Sequence, residues 1–344
     1  MKKINWGIIG LGSIANKFAD AFSYIDNATV KGIASLNQKK LYSFKNKFKV
    51  EDKFCFDNYE DIISSPSIDI VYIALPNSLH AKYIQKSINK KKNVLVEKPA
   101  FINPEDLTLI KNLVKEHKIF FTEAFMYRYL PYFQKVREII DNASLGKIVD
   151  MHSTFNIKVY KPKNFFGIKF KKPNYSHRLF NKKLGGGAIL DVGCYPLSLS
   201  TFVNSITYNV ELKDITFENV HKDYCESEVD IFSKLTLNFG NKFKSKISCS
   251  FRDNFDQKTI INFENGSLTI NQTWVPDLYT VIDQKKGNVT SSIDFKNSEN
   301  IYSYQIQSIS EQILDKNVTP KFPSMSLEEI EINTKLLSSW INFK

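Results

Sequence analysis

Apolar residues in the first third of the chain fall in short continuous runs, whereas further on they alternate with polar ones. Ile4 to Ile9, Thr29 to Ala34, Ile68 to Leu75, Val94 to Val96 and Ile119 to Thr122 read as strands. A run apolar at every position suits a strand covered on both faces, as in a parallel sheet. Between these runs the apolar positions recur at helical spacing: Phe18, Ala19 and Phe22; Leu41, Phe44 and Phe48; Ile84 and Ile88; Leu107, Ile110, Leu113 and Val114. Asn103, Pro104, Glu105 and Asp106 form a helix start with a cap, a first-position proline and acids in the first turn. Alternating strands and helices over residues 1–124 predict a doubly wound parallel sheet. The pattern changes after Glu123. Tyr127 to Pro131 opens an aromatic helix, and from Ile148 a period of two takes over: Val149, Met151, Ser153, Phe155, Ile157 and Val159, then Leu235, Leu237 and Phe239, then Ile247, Cys249 and Phe251. Strands with one buried and one wet face predict an open, mostly antiparallel sheet in a second α/β domain, residues 125–344. Gly240-Asn241 and Asn265-Gly266 are hairpin turns. Ser326 to Trp340 is an amphipathic helix, capped by Ser326, that packs back toward the first domain.

Composition narrows the class. The chain has 344 residues, enough for two domains. No apolar run approaches the ~20 residues a membrane span needs. Lys2 and Lys3 precede a short apolar stretch that runs into a glycine turn instead of a cleavage site, so a cytoplasmic protein is expected. Cys55, Cys194, Cys225 and Cys249 show no metal-ligand spacing and suit a reducing compartment. The net charge of +11 is spread along the chain and marks no nucleic-acid module. It concentrates only in Lys158 to Lys172, where Phe165, Phe166 and Phe170 interleave with lysines. That loop is either an exposed loop or subunit contact, or a flap over an anionic substrate.

The chemistry sits at strand ends. Gly10, Leu11, Gly12, Ser13, Ile14 and Ala15 follow the first strand as GxGxxA. Glycines there let the backbone approach a pyrophosphate, and the next helix offers free N–H groups to it. At the end of the second strand an acid would accept from a ribose 2′-hydroxyl, but Ser35, Leu36 and Asn37 stand there. Lys39 and Lys40 follow, either to meet a 2′-phosphate or to face solvent. The cofactor is therefore NADP or NAD, with NADP preferred. Leu75, Pro76 and Asn77 close the third run, with His80 at the start of the next helix. This turn belongs beside the cofactor's ribose and nicotinamide, unless His80 only bonds to backbone. Glu97 and Lys98 stand at the carboxyl end of Val94–Val96, where ligands of parallel sheets sit, and Pro99 turns the chain away. Gly185, Gly186 and Gly187 imply a close approach by the backbone. Asp191 and Tyr195, four apart, share a helix face beyond them.

GLGSIA, EKPA, EAFMYR and GGGAILDVGCY in this order resemble the Gfo/Idh/MocA oxidoreductases over essentially the whole chain. The likeness is greatest to the branch of dimeric dihydrodiol dehydrogenase and xylose dehydrogenase. The resemblance implies a Rossmann domain, a substrate domain whose sheet forms a homodimer or homotetramer, and hydride transfer between nicotinamide and a sugar, cyclic polyol or related alcohol. By motif, Lys98 and Tyr195 match the family's lysine and tyrosine, and Asp191 the aspartate before the turn. Arg128, its neighbour Tyr127, and Arg178 match the ligand side. Many relatives carry Ser-Arg where Ser35-Leu36 stands, so a guanidinium that would clamp a 2′-phosphate is missing.

Proton accounting then assigns roles. Oxidising an alcohol requires a base for the hydroxyl proton. A neighbouring ammonium brings a phenol's pKa down. Tyr195 is read as general acid/base, Lys98 as its electrostatic partner and donor to the substrate oxygen, and Asp191 as positioning the substrate or the lysine; Lys98 alone as proton donor is the alternative. A cofactor-binding sensor without turnover is the rival function.

Overall fold

A computed structural model describes residues 2–160, 174–253 and 257–343, and the backbone of 164–165 and 168–169. The chain divides into two compact units, Met1–Leu130 with Ser298–Thr334 and Pro131–Asn297 with Lys335–Lys344.

The first unit is built on six parallel strands: β1 (Ile4–Ile9), β2 (Ala28–Ala34), β3 (Cys55–Phe56), β4 (Ile70–Ile73), β5 (Asn93–Val96) and β6 (Phe121–Glu123). Their order is β3-β2-β1-β4-β5-β6, so the winding reverses between β1 and β4. In such a sheet the loops leaving those two strands part and open the ligand site. Helices α1 (Ser13–Asp20), α2 (Gln38–Phe48), α3 (Tyr59–Ser64), α4 (His80–Asn89) and α5 (Pro104–His117) make the crossovers. Asn103 precedes Pro104 as expected, but its side chain makes no capping bond. The core under α1 is aromatic: Phe18 stacks on Tyr72 at 3.9 Å, and Trp6 meets Phe18 at 5.5 Å. Trp6 Nε1 donates to Ser310 Oγ at 3.0 Å. Ser310 lies on a helix that returns to this unit late in the chain and contributes Ile306 and Ile309 to the same core.

After a short turn at Met126–Tyr129, where an aromatic helix was expected, α6 (Pro131–Asp141) begins the second unit. Its sheet contains β7 (Ile148–Asn156), while β8 (Asn164–Phe165) and β9 (Ile168–Lys169) pair with each other as a separate two-stranded sheet. Following α7 (Cys194–Ile206) come β10 (Ile215–Tyr224), β11 (Asp230–Phe239), β12 (Phe243–Ser250), β13 (Thr259–Phe263), β14 (Gly266–Ile270), β15 (Tyr279–Lys286) and β16 (Val289–Lys296). The eight strands run β10-β11-β12-β7-β13-β14-β15-β16, and every pair is antiparallel except β7 with β12. Gly240 and Asn241 turn β11 into β12 with φ of 56° and 58°, the left-handed pair that a tight hairpin requires. One face of this sheet carries α7, which packs on α6 through Phe202 and Phe133 at 4.9 Å. The chain closes with α8 (Tyr302–Leu314), the returning helix, and α9 (Leu327–Asn342). Ser326 and Glu329 form a reciprocal cap on α9: Glu329 N donates to Ser326 Oγ at 3.2 Å and Ser326 N to Glu329 Oε2 at 2.9 Å. Among the described residues no helix is long and apolar enough to cross a membrane.

Candidate active site

In the first unit the loop after β1 has the form a dinucleotide needs. Gly10 has φ +87°, and a Cβ there would meet Ala74 O at 2.6 Å, so this glycine lets the ends of β1 and β4 close on each other. Gly12 precedes α1 and has the opposite surroundings: a Cβ would find nothing within 4 Å. That space lies over the first turn, Ser13, Ile14 and Ala15, which has no side-chain cap and no acid. Free N–H groups, the positive end of a helix and no carboxylate are a donor set fitted to a pyrophosphate. At the end of β2, Ser35 is buried and its Oγ accepts from Asn37 N at 3.1 Å. Leu36 is exposed, and Asn37 caps α2 by accepting from Lys40 N. Lys39 and Lys40 lie exposed on the first turn of α2 with no acid among them. The residues present thus fit a cofactor that carries a 2′-phosphate.

The loops after β4 and β5 are tied together. Leu75 is buried, with Pro76 and Asn77 half-buried beside it. His80 has no exposed surface; Nε2 lies 2.9 Å from Leu75 O and Nδ1 3.0 Å from Pro99 O. Burial lowers its pKa to about 4, so the ring is neutral and donates to one of the two carbonyls. His80 therefore fastens one loop to the other and takes the backbone-bonding role. Glu97 and Lys98 are half-buried in the turn after β5, and Tyr72 OH donates to Glu97 Oε1. The far end of the turn is held by Glu123, whose Oε1 accepts Ala100 N at 2.8 Å. Arg128 is buried: Nε donates to Pro323 O at 2.9 Å and Nη2 to Glu329 Oε1 at 2.8 Å. Tyr127 is fully buried edge-on to Phe125, 6.0 Å away. Arg128 is thus held by a carbonyl and a carboxylate, and Tyr127 lies in the core.

In the second unit Gly186 and Gly187 have protein as their near neighbour. Gly185 turns the chain with φ +76°. A Cβ on Gly186 would lie 2.6 Å from Arg178 O, and one on Gly187, where φ is +121°, would run into the Asp230 carboxylate. Asp230 is buried, and its Oδ2 accepts Ile189 N at 2.6 Å. It caps a π-helical turn, Ile189–Gly193, that leads into α7. Such turns widen a helix locally and recur at functional sites. Asp191 lies on this turn and accepts from Arg178 Nη1 at 3.1 Å; the aspartate side chain is 11% exposed and the arginine 51%. Tyr195, 6% exposed, stands one turn on, with its ring edge-on to Phe155 at 5.0 Å and to Trp274 at 5.8 Å. Trp274 Nε1 donates to Thr154 O at 2.6 Å, which orients the indole. The proposed flap at 160–172 lies mostly outside the described residues.

Glu123, Asp230, Phe155 and Trp274 are not marked as site residues by the sequence. Glu123 alone carries a local clue: like Glu97 it is a carboxylate at the carboxyl end of a buried strand. Asp230 lies 41 residues from the N–H it accepts.

Two family models match the chain, an oxidoreductase family with an NAD-binding Rossmann fold over residues 4–125 and the GFO/IDH/MocA C-terminal domain over residues 133–269. A trans-1,2-dihydrobenzene-1,2-diol dehydrogenase of Xenopus tropicalis is 24% identical over 341 residues, 96% of this chain and 95% of that protein. A D-xylose 1-dehydrogenase (NADP(+)) of Hypocrea jecorina is 28% identical over 220 residues, 60% of this chain and 54% of that one. In fold the chain resembles a 3-ketoreductase from Actinomadura kijaniata solved with NADP and TDP-benzene: TM-score 0.82, 20% identity, 98% of this chain and 97% of that chain covered. With a six-stranded parallel sheet, a glycine turn open over α1 and a mixed second sheet matched in sequence as well as in shape, the chain belongs to the Gfo/Idh/MocA oxidoreductase family.

Proposed function

We propose that the protein is an NADP-dependent oxidoreductase that moves a hydride between the nicotinamide and a sugar, cyclic polyol or related alcohol or ketone. The observation that carries this reading is the turn after β5, where Lys98 is presented at the carboxyl end of a buried parallel strand and its flanks are pinned by His80 and Glu123. The nicotinamide, when bound, supplies the hydride acceptor or donor. Lys98 donates to the substrate oxygen. Tyr195 takes the hydroxyl proton in oxidation and returns it in reduction. Phe155 and Trp274 hold the Tyr195 ring, and Asp191, steadied by Arg178, positions the substrate or the lysine. NADP is favoured by the missing acid after β2 and the exposed Lys39 and Lys40, and NADP is named in the Hypocrea jecorina relative and the 3-ketoreductase complex. The wet face of the eight-stranded sheet serves a homodimer or homotetramer, which sedimentation checks. The four cysteines, none of them in a disulfide among the described residues, suit a cytoplasmic protein.

The test is a panel of sugars and polyols followed by nicotinamide absorbance with NADP and NAD. Lys98→Met and Tyr195→Phe lower turnover by ~10²-fold or more and leave cofactor affinity within a few-fold. Wild-type turnover in either variant removes that residue from the mechanism.

A further inference from the structure

Glu123 is the last residue of β6, paired with Val96 of β5, and its side chain is 3% exposed. A carboxyl in such a place needs a reason, since burial disfavours its charged form. Its Oε1 accepts the N–H of Ala100, itself buried, so it anchors the residue two beyond Lys98. The charged groups facing it are Arg128 from the Met126–Tyr129 turn, which shares its charge with Glu329, and Glu97 and Lys98 from the turn after β5. Burial is the largest influence and raises the carboxyl to about 8 against the pull of Arg128, Lys98 and the Ala100 N–H.

We propose that Glu123 is a positioning residue for Lys98: it fastens the 98–100 turn to the end of β6 and, once ionised, adds a negative charge that keeps Lys98 an ammonium in alkaline solution. The catalytic meaning of this rests on the function proposed above, but the coupling itself is a property of the first unit alone.

The experiment is competitive acylation of lysines in the full-length, cofactor-free protein across a pH series, with Lys98 read by peptide mass spectrometry and Lys111 as internal reference. In Glu123→Gln the amide oxygen still accepts Ala100 N–H while the charge is gone. Lys98 then reacts equally in wild type and variant at mildly acidic pH, and ~3- to 10-fold faster in the variant at pH above the carboxyl's titration, as expected when one nearby charge is removed. A purely structural residue would not move this profile, and superimposable profiles overturn the proposal. In the second arm, turnover at neutral pH stays within ~3-fold of wild type in Glu123→Gln and drops ~10-fold or more in Glu123→Leu, which cannot accept the N–H. Equal turnover in all three proteins overturns the fastening. If no substrate is turned over at all, the acylation profile still decides the coupling, so failure of the functional reading stays separate.

Discussion

Two glycines of one motif do different work, and the side chain each would acquire shows it. Gly10 is required by the protein itself: positive φ and a backbone oxygen 2.6 Å from the Cβ position leave no room for alanine. Gly12 has ordinary φ and open space, so nothing around it in the protein requires a glycine. Gly12→Val is expected to weaken dinucleotide binding ~10-fold or more with the unfolding temperature unchanged, whereas Gly10→Ala lowers stability by ~1–3 kcal/mol. Cofactor titration beside thermal unfolding checks the pair, and a Gly12→Val protein that binds normally would show the space to be idle. A glycine-rich string announces close approach without saying by what. At Gly187 the neighbour is Asp230.

At the scale of elements, the start of the π turn and α7 depends on a long-range cap. Asp230 at the start of β11 accepts the N–H of Ile189, and Gly187 leaves room for its carboxylate. Adding a methyl at Gly187 pushes the cap aside and strains a φ of +121°, for an expected loss of ~2–4 kcal/mol. In an Asp230→Ala background the same change costs less, because part of the clash is gone; denaturant unfolding of the four proteins measures the coupling. Additive losses would show that the carboxylate is not what Gly187 accommodates. The elements themselves were legible from the sequence because periodicity reports which faces are covered: continuous apolar runs became the parallel strands, and alternation became the second sheet. Ser326 and Glu329 were readable as a cap because their bonds are local. Helix α8 was not read from the pattern, and its place in the first core rests on partners such as Trp6 that lie 304 residues away.

For the whole molecule, buried ionisable groups set the dependence of stability on pH. His80 is lowered to about 4 from 6.5, so its contribution is present above 6.5 and lost as pH falls toward 4. Asp230, raised to about 6 from 3.8, and Glu123, raised to about 8 from 4.5, act oppositely: their contributions are present at low pH and lost as pH climbs through those values. Stability is therefore expected to decline as pH climbs from 4.5 to about 8, most plainly above 6.5 where His80 no longer offsets it, by at most ~1.4 kcal/mol per group for each step of one in pH. Glu123→Gln removes most of that decline, so its unfolding temperature gains on wild type by several degrees between pH 5 and pH 9. Parallel thermal scans with an unchanging gap would mean that Glu123 is already ionised when buried.

The sequence by itself determined the two sheet types, the glycine turn at the end of β1 and the placement of Lys98 at a strand end, because each follows from local geometry, from spacing of 2 or 3.6 residues and from turn chemistry. Tertiary structure alone decided who holds those pieces: His80 on Pro99, Glu123 on Ala100, Asp230 on Ile189, Trp274 against Tyr195. These partners lie 19 to 79 residues apart in the chain. A buried polar group must find a partner wherever folding brings one, and sequence separation places no limit on where that is.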